Sequence, residues 1–162
     1  MIWSKLTRVV PALAAALVVA ALMAVAGIAS ATPPNDPNND FVTGGFQDGF
    51  GFDNGVSAQG DPSGANPKGH LSATHPSDKT KIRGDIVCIA VSGNTAATGI
   101  IGTLNGEPYK EVEVYRDGGP GGTGDGFTAF EEPNPSNCQA RLVEAATAPS
   151  IVSGDILIND AQ

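Results

Sequence analysis

Three extended segments joined by two glycine-containing turns constrain the fold of this chain most strongly. Residues 85–92 (DIVCIAVS) contain a continuous apolar run, residues 95–104 (TAATGIIGTL) resume an extended pattern, and residues 109–116 (YKEVEVYR) alternate. The connecting pieces are Ser92-Gly93-Asn94 and Asn105-Gly106, and an Asn-Gly pair is typical of a two-residue hairpin turn. A continuous apolar run is typical of a strand buried on both faces. The sequence therefore predicts two consecutive hairpins.

The remaining segments are also short and separated by turns. Aromatic residues are few while glycine and proline are abundant, which favours short strands over helices. About eight short strands predict an all-β fold, either a single antiparallel β-sandwich or a small β-barrel. Strand spacing leaves both open, because the tilt and shear of a barrel are not visible in a sequence. The other predicted elements are a bent first strand at 41–52, a loop at 60–69, a hairpin of 70–74 and 80–83, short strands at 127–130 and 151–159, and a helix or edge strand at 139–148.

The first 31 residues have the features of a secretory signal peptide. Lys5 and Arg8 precede a long Ala/Val/Leu run, and Ala29-Ser30-Ala31 offers the small side chains that signal peptidase requires. The alternative is an uncleaved membrane anchor, since residues 9–28 approach the roughly 20 apolar residues that span a bilayer. The many alanines weaken a membrane span, so we expect cleavage after Ala31.

The predicted organisation is a signal peptide at residues 1–31, a disordered linker at 32–40 (TPPNDPNND) and one β-domain at 41–162. The leader holds two of the nine basic residues and none of the seventeen acidic ones, so the mature net charge is −10. An acidic surface repels phosphate backbones and anionic headgroups, which argues against nucleic-acid and membrane-surface binding. We expect a secreted protein, extracellular or attached to the cell surface, with an unidentified extracellular partner and an oligomeric state left open.

Cys88 and Cys138 are the only cysteines of the chain. In an exported protein an even pair is most simply one disulfide bond. A zinc or thioredoxin-like role would need nearby histidines or a Cys-x-x-Cys motif, and neither occurs in this sequence. The sequence therefore predicts a structural disulfide between Cys88 and Cys138.

Six short glycine-containing motifs occur in order between residue 41 and about residue 160. They are Thr43-Gly44-Gly45, Phe50-Gly51-Phe52, Gly69-His70-Leu71, residues 91–96 (VSGNTA), Asn105-Gly106, and residues 117–127 (DGGPGGTGDGF). Together they resemble the post-COAP family of small secreted or surface-attached bacterial β-domains. The resemblance implies an all-β fold and no established activity. Two features depart from the family pattern: the cysteine pair and the acidic, proline-containing segment 131–137.

The glycine-rich loop between Asp117 and Asp125 is the strongest candidate for a chemical site. Carboxylates beside a flexible loop can supply the oxygen ligands that Ca²⁺ prefers. An EF-hand would need alternate acidic or amide residues and a terminal glutamate, and a calcium β-helix would need tandem repeats. The loop meets neither requirement. We therefore interpret it as a structural turn and keep a cation site at Asp117 and Asp125 as the alternative.

The strand predicted at residues 109–116 also carries two carboxylates on one face. Val112 and Val114 share one side, and Tyr109, Glu111, Glu113 and Tyr115 share the other. Glu111 and Glu113 could form an acid/base pair of the kind that glycosidases use. Because alternation of this kind indicates a half-buried strand, we interpret the pair as exposed residues that favour solubility.

The two histidines, His70 and His75, lie five residues apart in a polar region. A metal site would need a third ligand such as Asp78 or Asp85 to converge with them. Loop histidines are more often simply solvated, so no metal ligand is assigned to them.

The sequence contains no complete catalytic motif. It has no G-x-S-x-G elbow, no H-E-x-x-H, no phosphate-binding loop and no dinucleotide fingerprint. We assign no catalytic or cofactor-binding residue and expect a non-enzymatic β-module with a structural or binding role. The alternatives are a small hydrolytic or calcium-dependent protein that uses Asp117, Asp125 and His70, and a small barrel that carries an apolar ligand.

Overall fold

The computed structural model describes residues 38–161 of the chain. The predicted signal peptide at residues 1–31, the cleavage site after Ala31, residues 32–37 of the predicted linker and Gln162 lie outside the described residues. Asp40 is the first residue of the first strand, and its buried carboxylate accepts a hydrogen bond from the Ala161 N–H at 3.0 Å. The two ends of the described chain are therefore joined.

Eight antiparallel strands form one sheet, which confirms the all-β prediction. The sheet order is β7-β6-β5-β4-β3-β2-β1-β8, and it curls into a half-barrel instead of stacking as two sheets. The strands are β1 (Asp40–Gln47), β2 (Asp53–Gly60), β3 (Lys68–Thr74), β4 (Lys81–Ser92), β5 (Thr95–Leu104), β6 (Glu107–Arg116), β7 (Gly126–Glu131) and β8 (Ser153–Asn159).

The two predicted central hairpins are confirmed. Strands β4, β5 and β6 pair in sequence, and Gly93-Asn94 and Asn105-Gly106 are their two turns. Asn105 and Gly106 both have positive φ, 53° and 94°, as the favoured two-residue hairpin turn requires. This backbone explains why asparagine and glycine occupy the two positions.

Three strands differ from their predictions. The predicted bent first strand at 41–52 ends at Gln47 as β1, and residues 48–52 connect it to β2. Strand β2 was not predicted, because only Val56 and Ala58 among its eight residues are apolar. The segments predicted as separate strands at 80–83 and 85–92 form one twelve-residue strand, β4. Gly84 continues this strand at a position where a Cβ would overlap Ile100 of β5. The predicted loop at 60–69 correspondingly shortens to the residues between β2 and β3.

The inner, concave face of the sheet holds the larger of two apolar cores. Phe46 on β1 contacts Tyr115 on β6, at a ring-centroid distance of 6.4 Å, although four strands separate them in the sheet. Phe127 packs on both rings, at 4.9 and 5.7 Å. The curl brings these aromatic rings together. The core consists of Val42, Phe46, Val56, Ala58, Leu71, Ile86, Ile89, Ala96, Ile100, Tyr115, Phe127 and Ile156.

A 3₁₀-helical segment, Pro135–Thr147, covers part of the outer face and resolves the ambiguity left at residues 139–148. It packs on β4, β5 and β6 over a second core that includes Val112 and Val114. The Cys88–Cys138 disulfide joins it to β4, as predicted. Gly99 lies directly beneath it, where a Cβ would overlap the Pro135 carbonyl. Within residues 38–161, no helix is long and apolar enough to cross a membrane.

Candidate functional site

A row of small residues forms the floor of a groove on the outer face of β1, β2 and β3. Gly45 pairs with Gly55 across β1 and β2, and Gly55 pairs with Ser72 across β2 and β3. Side chains alternate between the faces of a strand, so these three positions point away from the inner core. They line a depression of about 460 Å³ together with His70 and Asp53, among others. Because glycine has no side chain and serine has a short one, the space above these strands is open.

The groove continues across the next two strands. Ser72 pairs with Arg83 on β4, and Arg83 pairs with Thr103 on β5. A second depression, of about 550 Å³, shares Ser72 and His70 with the first and also contains Arg83 and Asp85. Neighbouring strands lie about 4.8 Å apart, so a row across five strands is about 19 Å long. We call this row and its two depressions the outer groove.

At β4 and β5 the outer groove opens into a third depression, of about 420 Å³, that is lined by cations. Lys79, Lys81 and Arg83 line it, with no carboxylate among its lining residues. Arg83 is shared with the outer groove. Lys81 and Asn105 exchange two hydrogen bonds of 2.8 Å, Lys81 N–H to the Asn105 side chain and Asn105 N–H to the Lys81 carbonyl. These bonds hold the β5–β6 turn beside the cations.

The three cations are free of ion pairs within the part of the chain that the structure describes. The ion pairs there join His75 to Asp78 and Arg141 to Glu132. Lys79, Lys81 and Arg83 are all exposed. Their positive charges are therefore available to an external anion.

The outer groove was not predicted from the sequence, although two signals for it are present. Residues 79–83 (KTKIR) alternate between cationic and other side chains, which places Lys81 and Arg83 on one strand face. The prediction of an acidic surface without Lys/Arg clusters overlooked this local cluster. The glycine floor depends on strand pairing, which a sequence does not show.

Glu111 and Glu113 are buried, and the prediction that they are exposed is wrong. Their side chains project from β6 toward the inner face, where their exposed fractions are 1% and 2%. Glu113 accepts a hydrogen bond from the Tyr115 hydroxyl, which also lies 3.2 Å from the Thr98 hydroxyl. Oε1 of Glu111 is buried without a hydrogen-bond partner among the described residues. β6 lies between β5 and β7, so it is not an edge strand, and the inner core and the 3₁₀ segment, Pro135–Thr147, cover its two faces.

The environment of the two glutamates shifts their pKa values upward. Burial raises the pKa of Glu111 to about 7, and the nearby Tyr109 hydroxyl offsets part of this rise. Burial also raises the pKa of Glu113 well above its usual range, and the charges of Glu111 and Asp48 add to the rise. Because the two carboxyl groups are buried and lie close to each other, the protonated form of both is favoured.

Burial of this degree removes the two carboxyl groups from contact with any large substrate. A general acid must come within hydrogen-bond distance of the group it protonates. With 1% and 2% of their surfaces exposed, Glu111 and Glu113 reach nothing outside the core. Their raised pKa values therefore affect stability rather than catalysis.

Asp117 and Asp125 attach the glycine-rich loop to the edge strand β8. Asp125 accepts hydrogen bonds from Gly118 N–H at 2.8 Å and Ile156 N–H at 2.6 Å. Asp117 accepts hydrogen bonds from Gly119 N–H at 2.7 Å and Ile158 N–H at 3.2 Å. Both carboxylates therefore bind backbone N–H groups through all four oxygens, which gives the loop a structural role. We call this arrangement the aspartate clamp.

Replacing Asp125 by alanine is expected to lower the free energy of unfolding by about 2–4 kcal/mol, because two N–H groups lose their acceptor. Asp125 is fully buried, so water does not readily replace the carboxylate. Urea denaturation measures the change, and Asp155→Ala, at an exposed position of β8, is the control with the same charge change. Equal effects of the two substitutions, or a melting temperature lowered by a calcium chelator, would contradict the clamp.

The histidines and their proposed partners do not form a common site. His70 lies on the outer face of β3, opposite Asp85 of β4, and lines the outer groove. His75 lies in the β3–β4 turn, where it contacts Asp78 at 3.0 Å and packs on Phe52. Among the described residues there is no group of three histidine, cysteine or acidic side chains that could hold a metal ion.

The fold and the groove define a disulfide-linked, all-β protein with an open groove on the outer face of its sheet. Comparison with known family models, with curated proteins and with solved structures gives no match. The resemblance to the post-COAP family therefore stays a prediction.

Proposed function

We propose that the chain is a secreted, non-enzymatic β-module that binds an extended extracellular polymer in its outer groove. Secretion follows from the predicted signal peptide and agrees with the Cys88–Cys138 disulfide, because such bonds persist in oxidising compartments. The mature protein begins at Thr32 in this proposal.

The outer groove is the observation that carries the binding role. It crosses β1 to β5 as a continuous row, is about 19 Å long, and is open along its whole length. Its lining combines backbone glycines with hydroxyl, imidazole and charged side chains, as at Ser72, His70 and Asp53. A long and shallow surface with polar groups spread along it fits a polymer chain better than a compact molecule, which needs an enclosed pocket.

Filling the groove at Gly55 tests this function. A Cβ at Gly55 would meet only Ser72 atoms, at 3.6 and 3.8 Å, so a larger side chain fits without displacing the backbone. We expect Gly55→Tyr to abolish binding of the secreted protein to an array of immobilised neutral and acidic polysaccharides. Gln59→Tyr introduces the same side chain on the same face of β2, outside the groove lining, and should bind as wild type.

Thermal melts of both variants establish that they remain folded. The proposal is wrong if the wild-type protein binds no immobilised polysaccharide, or if Gly55→Tyr and Gln59→Tyr bind equally well. A loss confined to Gly55→Tyr supports the groove as the binding surface.

A further inference from the structure

We propose that the ligand of the outer groove is an anionic polysaccharide whose acidic groups bind Lys79, Lys81 and Arg83. This inference rests on the binding role proposed for the groove and adds the chemical class of the ligand. The class follows from the charges along the groove, which differ between its two ends.

The cationic end supplies the attraction. Lys81 and Arg83 lie two residues apart on one strand face, so their Cα atoms are about 6.7 Å apart and their side chains are parallel. Lys79 lines the same depression from the preceding turn. The guanidinium of Arg83 can bind a carboxylate or sulfate through two parallel hydrogen bonds.

The net negative charge of the protein does not oppose binding at this site. Charges in water are screened over about 8 Å at physiological ionic strength, so the closest groups dominate. None of the residues lining the third depression is acidic. Asp78, next to Lys79 in sequence, binds His75 and the Thr80 N–H. Asp85, two residues after Arg83 on the same strand face, lines the second depression and not the third.

The rest of the groove selects a polysaccharide over a polymer with uniform negative charge. Asp85 and Asp53 lie farther along it, beside His70, Ser72 and Gln47. Carboxylates repel closely spaced phosphates, such as those of DNA, but accept hydrogen bonds from hydroxyl groups. A sugar chain with widely spaced acidic groups can place its acids on the cations and its hydroxyls on these aspartates.

Calorimetric titration of the secreted protein with four probes tests the ligand class. The probes are polygalacturonate fragments, heparin fragments, neutral dextran and a short DNA duplex. We expect binding of at least one of the two acidic polysaccharides, weaker binding at higher salt, and no binding of dextran or DNA. Lys81→Gln/Arg83→Gln should weaken the acidic polysaccharide about tenfold or more, since each lost contact involves an ionised group.

Lys68→Gln/Lys110→Gln is the matched control, because it removes the same two charges from exposed positions outside the groove lining. Equal weakening by the two double variants would overturn the inference, as would tighter binding of DNA or dextran, or failure of both acidic probes to bind. Binding that Gly55→Tyr abolishes and Lys81→Gln/Arg83→Gln leaves unchanged would refute the ligand class alone. Acidic-polysaccharide binding that Gly55→Tyr leaves intact would refute the groove itself.

Discussion

Glu111→Gln is expected to make the protein more stable than wild type at pH 8, by about 3 kcal/mol, and to have little effect at pH 4. The pKa of Glu111 is raised from 4.5 to about 7 by burial. Each unit of pKa difference between the folded and unfolded states corresponds to about 1.4 kcal/mol of stability. Glutamine has nearly the same shape and carries no charge at either pH.

The direction of this pH dependence follows from the number of protons that Glu111 binds in the folded and in the unfolded state. Between pH 4.5 and about 7 the folded protein keeps a proton on Glu111 that the unfolded chain releases, so wild-type stability falls as the pH rises. Below pH 4.5 Glu111 is protonated in both the folded and the unfolded state, so it no longer lowers the stability of the folded protein. Above pH 7 Glu111 is charged in both states, and the loss of stability has reached its full size. Glu113, whose pKa is also raised by burial, adds to the same trend.

Denaturant titrations of wild type and Glu111→Gln from pH 4 to pH 8 measure this effect. The difference between the free energies of unfolding of the two proteins at each pH is the informative quantity, because it cancels the titration of groups that do not interact with Glu111. Glu113, whose pKa the Glu111 charge raises, contributes to this difference in the same direction. Asp48, Glu131 and Tyr109 surround the pair and are unchanged in both proteins. Glu107→Gln, at an exposed position of the same strand, should leave the pH profile unaltered. A difference in the free energy of unfolding that stays constant from pH 4 to pH 8 would contradict this explanation.

Replacing both Cys88 and Cys138 by alanine is expected to lower the free energy of unfolding by about 4 kcal/mol, through the greater freedom of the unfolded chain. The bond joins residues 50 apart in sequence. It also holds the 3₁₀ segment on the outer face, over Val112 and Val114. Loss of the bond therefore also weakens the second core.

Hydrogen exchange shows which residues lose protection when the disulfide bond is removed. We expect faster exchange in the 3₁₀ segment, Pro135–Thr147, while the β1–β2 pair keeps its protection. A control in which Ala140 is replaced by serine changes an exposed position of the same segment without touching the bond. Unchanged stability in the double alanine variant would mean that the disulfide does not hold this layer.

The predictions from sequence succeeded where local signals were sufficient. The hairpins about Gly93-Asn94 and Asn105-Gly106 are determined by neighbouring residues, and both occur. Strand β2 has too few apolar residues for its pattern to be recognised, and it is held by pairing to β1 and β3 instead. Pairing between strands of this kind cannot be recognised from a short window of sequence.

The positions of the candidate residues in the structure show the same limit of prediction from sequence. Alternation on β6 correctly separated Glu111 and Glu113 from Val112 and Val114, but it did not show which face was covered. The curl of the sheet buries the glutamates and the 3₁₀ segment buries the valines. Asp125 likewise meets a strand 31 residues away in sequence. A sequence pattern orders side chains on a strand without showing what packs against them.

Amide chemical shifts of the secreted protein during titration with an acidic oligosaccharide test the outer groove most directly. We expect the largest shifts at Gly45, Gly55, Ser72 and Arg83, which line the groove, and little change in the loop that contains Asp125. Shifts centred on the Asp117–Asp125 loop, with the groove amides unmoved, would contradict it.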